Sequence, residues 1–75
     1  AGQAVRGYAR AIELDPDLLD AYINITIALR GQGRTAEALK YIDACRDRMY
    51  PRLAARDREE VDRLRAEIKA LKDGG

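Results

Sequence analysis

The chain contains no histidine, no phenylalanine and no tryptophan. Without an imidazole it lacks the side chain that ordinarily titrates near neutral pH, and with it the commonest general base and metal ligand. Cys45 is the single cysteine. No internal disulfide can form, and no multi-thiolate zinc site can be assembled. Gly31-Gln32-Gly33 lacks the rest of a phosphate-binding glycine loop. Acidic neighbours such as Glu59-Glu60 diverge on a solvated helix. The sequence therefore predicts a non-enzyme, with no cofactor and no metal.

Charge of one sign is lacking too. Fourteen basic residues face 13 acidic ones, for a formal net charge of +1. That balance gives no strong attraction to nucleic acid or anionic lipid, so neither is expected as a partner. No apolar run approaches the ~20 residues of a membrane span, and no signal peptide is visible. One cysteine without targeting or membrane segments points to a reducing, cytoplasmic setting. The first residue is Ala1 rather than Met, as expected of a piece excised from a longer chain.

What remains is 75 residues, 47% apolar and 36% charged, rich in Ala, Arg and Leu. All three are good helix formers. The length allows one small domain, which buries only ~60% of its unfolded surface. Four tyrosines and the aliphatic residues must build the core.

The chain resembles itself at an offset of 34 residues. Gln3-Ala4-Val5-Arg6 falls on Glu37-Ala38-Leu39-Lys40, Tyr8 on Ile42 and Ala11 on Cys45. Pro16 falls on Tyr50, one short of Pro51, so the second copy carries one extra residue. Spacing predicts four helices, 3–14, 18–31, 35–49 and 52–72. Pro16 ends the first, and Asp17 is expected to cap the second. Tyr22 to Ile27 alternates apolar and polar residues in a strand-like way. Helix is preferred, because Leu18, Tyr22, Ile25, Ala28 and Leu29 keep helical spacing and a lone strand would have no partner. Gly33 is expected to take the left-handed turn, Thr35 to cap the third helix, and Pro51 to stop it. Glu59–Arg63 and Arg63–Glu67 are expected to pair at i,i+4 on the last helix. Asp73-Gly74-Gly75 should fray.

With these residues in place, Ala21 to Ala44 resembles a tetratricopeptide repeat, through Tyr22, Ile25, Ala28, Leu29, Gly33, Ala38 and Ile42. Ala4, Tyr8, Ala11 and Asp15-Pro16 resemble the second half of a preceding unit. The resemblance implies an all-α, antiparallel helix-turn-helix solenoid. Its parts would be half a repeat over 1–16, one full repeat over 17–51 and a capping helix over 52–73. Thr26 departs from the pattern, where Gly or Ala is usual; it is expected either to loosen the helix pair slightly or to bond back to a carbonyl through its hydroxyl. Cys45 stands where Ala is usual and reads as a small core residue. Advanced by 34, Tyr22, Ile25 and Leu29 become Arg56, Glu59 and Arg63, which cannot fill a core. The last helix therefore resembles the charged cap that ends such arrays.

By the same resemblance, the chain holds a protein or peptide on a concave face carrying Asp20, Ile23, Asn24, Ile27 and Arg30. Asn24 would grip a ligand backbone, since an amide both donates and accepts. The competing reading is self-association. It could run through the outer face of Val5 and Tyr8, which lacks a preceding helix, or through the ladder Val61, Leu64, Ile68 and Leu71 as a coiled-coil seam. Two heptads are short for such a seam, so capping is preferred. More repeats before Ala1, or a regulatory tail on a larger enzyme, are the remaining alternatives. Asn24-Ile25-Thr26 also fits the glycosylation pattern, but Ile25 and Thr26 should be partly buried in a formed helix.

Overall fold

The computed structural model describes residues 2–74 and is all-helical there, with no strand among the described residues. Gly75, expected to fray, lies outside them. Helix α1 spans Gly2–Leu14, α2 Leu19–Gly31, α3 Thr35–Met49 and α4 Ala55–Gly74, with a single 3-10 turn over Tyr50–Arg52. Each α-helix packs chiefly on its sequence neighbours: α1 on α2, α2 on α3, α3 on α4. No helix among the described residues is long and apolar enough to cross a membrane.

The region that looked strand-like is the centre of α2. Ala21, Tyr22, Ile23, Ile25, Thr26 and Leu29 are all buried, a wider arc than a surface helix needs. The reason is that α2 is covered by α1 on one side and α3 on the other. A broad apolar arc on a helix blurs into alternation when read along the sequence. Of the two expectations for Thr26 the back-bond is the one seen: fully buried, it donates its Oγ1 hydroxyl to the Tyr22 carbonyl at 2.7 Å.

The α2–α3 turn is a Schellman closure. Gly33 has φ +75°, the Arg34 amide donates to the Leu29 carbonyl at 2.9 Å, and the Gly33 amide to Arg30 at 3.0 Å. Two expected caps are not made. The residue before α2 is Leu18 and that before α3 is Arg34, and neither helix has a side-chain cap. Asp17 is engaged elsewhere: its Oδ1 accepts from Arg48 Nε at 3.0 Å and Arg52 Nη2 at 3.2 Å. It thus ties the α1–α2 turn to the end of α3, and the two guanidiniums hold its carboxyl below the usual value of 3.8. Thr35 is the first residue of α3, while Arg34 forms a two-pronged pair with Glu37 at 3.0 and 2.6 Å.

Helix α3 ends at Met49, as expected, and Pro51 sits inside the 3-10 turn that follows, where its fixed φ is compatible. Leu53 is then extended (φ −79°, ψ 146°), so α4 begins at Ala55 rather than 52 and continues through Gly74. Tyr50 ties this corner together. Its hydroxyl donates to Asp62 Oδ2 at 2.5 Å, and the Arg46 and Arg58 guanidiniums lie 5.0 and 5.9 Å from its ring centroid. Arg65 Nε donates to Asp43 Oδ1 at 2.5 Å, a second tie between α4 and α3.

One apolar cluster joins α2, α3 and α4: Ile25, Leu29, Ile42, Val61 and Ile68 are fully buried, with Ala38 and Cys45. Burial pushes the Cys45 thiol up to about 11, consistent with a small core residue. The apolar side of α1, through Val5, Tyr8, Ala9 and Ile12, packs against the same cluster.

Candidate docking cleft

Helices α2 and α4 both pack on α3, and a shallow cleft of about 180 Å³ opens between them. Ile23 and Ile27 supply its α2 wall, and Leu64 supplies apolar surface from α4. Arg30, Glu60, Arg63 and Glu67 complete the lining. Ile23 and Leu64 are buried at the floor, whereas Ile27 keeps 43% of its surface exposed. Ile27 thus adds exposed apolar surface to a lining whose other two aliphatic side chains are buried.

Polar groups bound the cleft. Arg30 Nη1 donates to Glu67 Oε2 at 2.6 Å, linking the α2 wall to the α4 wall. The pair is partly exposed, so it contributes modestly to stability but fixes the position of two side chains. Glu60 and Arg63 carry no ion pair among the described residues. The groups with shifted titration, Asp17, Tyr22 and Cys45 among them, lie outside this lining. The cleft offers apolar contact together with charged groups of both signs, Arg30 and Arg63 beside Glu60 and Glu67.

Three of the five residues expected on the concave face, Ile23, Ile27 and Arg30, come together in the cleft. Asp20 and Asn24 are exposed on α2, each three residues before an isoleucine of the lining, but outside it. The self-association candidates need correction. Val61, Leu64 and Ile68 are buried in the chain's own core, because α4 lays that ladder against α3; they are not a free seam. Leu71 alone of the ladder is open, at 53% exposure. Val5 and Tyr8 face the core as well and are half-buried; the open side of α1 carries Ala4, Gly7 and Leu14 instead.

The α4 wall was missed by sequence reasoning. Arg63 and Glu67 were expected to pair with each other, yet Glu67 is taken by Arg30, 37 positions away. The one available signal was the repeat itself: α2 and α4 both follow a copy of the α1/α3 code, which suggests that their corresponding faces adjoin. Comparison with family models, with curated proteins and with solved structures gave no match for this chain.

Proposed function

We propose that the chain is a non-catalytic docking module, built like the closing end of a tetratricopeptide-type array, whose α2/α4 cleft receives a segment of another protein chain. The observation that carries this reading is the half-exposed Ile27 beside the buried Ile23 and Leu64, in a cleft bounded by charged groups. Buried apolar contact ringed by polar groups is the usual anatomy of a protein-binding site. The serial packing of α1 to α4, the left-handed Gly33 and the contribution of Tyr22, Ile25, Ala38 and Ile42 to one core support the solenoid part of the reading.

A random-sequence peptide display library selected on the chain tests the proposal, with amide shifts in NMR as the map. Selected peptides are expected to move the resonances of Ile23, Ile27 and Leu64. Ile27→Asp is expected to weaken them by about tenfold or more, and Asn24→Ala by less, with circular dichroism unchanged. Peptides that map elsewhere, or that bind Ile27→Asp as tightly as the original chain, would remove the cleft from consideration.

A further inference from the structure

Along the α4 wall, Arg56, Glu60, Arg63 and Glu67 follow one another at steps of four, three and four. This spacing keeps all four on one side of the helix, and all four are exposed. Glu60, Arg63 and Glu67 line the cleft, and Arg56 extends the row by one turn. Within the chain the row is poorly used. Glu67 bonds Arg30, while Arg56, Glu60 and Arg63 make no ion pair among the described residues. Its i,i+4 pairs place Arg before Glu, the weaker order on a helix.

The row reads plus, minus, plus, minus, and its spacing is symmetric about its midpoint. Such a row is complementary to itself when two copies run antiparallel. Glu60 then meets the partner's Arg63, Arg56 meets the partner's Glu67, and each pairing occurs twice. Parallel alignment would set like charges against each other. The same two-fold arrangement would bring together the exposed Ile27 side chains that flank the row.

We propose that the cleft's occupant is a second copy of this chain, docked isologously with the two α4 helices antiparallel. The inference rests on the cleft being a docking surface. A foreign segment would have to carry the matching charge order, whereas the chain already carries it. A contact made by one helix row and a shallow cleft falls below the ~800 Å² per partner of a standard interface. The dimer is therefore expected to dissociate on dilution and to weaken with salt.

Sedimentation of the 75-residue chain over a wide concentration range tests this, with circular dichroism as the control for folding. The original chain should approach twice its 8.4 kDa mass as concentration rises. Glu60→Arg alone and Arg63→Glu alone should each weaken association by about tenfold or more, since like charges then face each other twice. Mixing the two single variants should restore association as a heterodimer, because every central pair is again opposite in sign. An effect confined to the fold of one chain could not produce that rescue. A monomer at all concentrations overturns the inference, as does association indifferent to both swaps or a mixture that fails to rescue. If the chain stays monomeric while selected peptides still shift Ile23 and Leu64, the second-copy inference falls and the docking cleft stands.

Discussion

Ile68→Ala probes whether α4 belongs to the core or merely lies beside it. Ile68 is fully buried in the cluster that joins α2, α3 and α4. The substitution removes three carbons from that cluster. At ~0.8 kcal/mol for each buried methylene, the lost transfer free energy is about 2.4 kcal/mol. The space left behind adds to it, which places the cost at roughly 2–5 kcal/mol. A chain of this size has a total stability of about 4–11 kcal/mol, at roughly 0.05–0.15 kcal/mol per residue. The loss is thus a large share of the whole. Urea unfolding followed by circular dichroism should show a much lower midpoint with an unchanged slope. Leu71→Ala, one turn further along and 53% exposed, is the matched control and should cost no more than about 0.5 kcal/mol. If Ile68→Ala proved as mild as Leu71→Ala, the docking of α4 onto α3 would be refuted. A reduced slope would mean that α4 unfolds separately from the rest.

Two further outcomes follow from the turns. Arg52 and Arg48 lower the pKa of Asp17 in the folded chain, so its contribution is present above the unfolded value of 3.8 and is lost as pH falls through the lower folded value. Asp17→Asn should therefore lower the thermal midpoint at pH 7, and the gap from the original chain should close in strong acid; a gap constant with pH would rule out the charge pairing. Gly33→Ala meets no atom within 4 Å but must hold φ +75°, so it should cost about 1–2 kcal/mol in urea unfolding, from the backbone alone. A neutral result there would mean that the turn relaxes to another closure.

The fold was legible wherever the determinant was local or periodic. Helical spacing located three of the four helices to within a residue at each end, and Gly33 announced its turn because left-handed backbone strongly selects glycine. Ala38, Ile42 and Cys45 announced their burial through spacing. What escaped was competition between partners. Asp17 had the right position and chemistry for a cap, but two arginines 31 and 35 residues later claim its carboxylate. Glu67 had an arginine one turn before it and bonds Arg30 instead. A side chain's choice between a neighbour on its own helix and a group on another depends on how the helices sit. The start of α4 was misplaced for a related reason: proline is compatible with the first positions of a 3-10 turn as well as with a stop. For the candidate site, the α2 side of the cleft was implied only by the resemblance to a tetratricopeptide repeat. The α4 wall required knowing that α4 lies next to α2.

Methyl-resolved NMR offers the most direct measurement. The arrangement of helices described above predicts nuclear Overhauser contacts between Ile23 and Leu64, which line one cleft from different helices. It also predicts contacts from Ile42 of α3 to the Val61 and Ile68 ladder of α4. Helical spectra with methyl contacts confined to each helix would contradict both the shared core and the cleft built upon it.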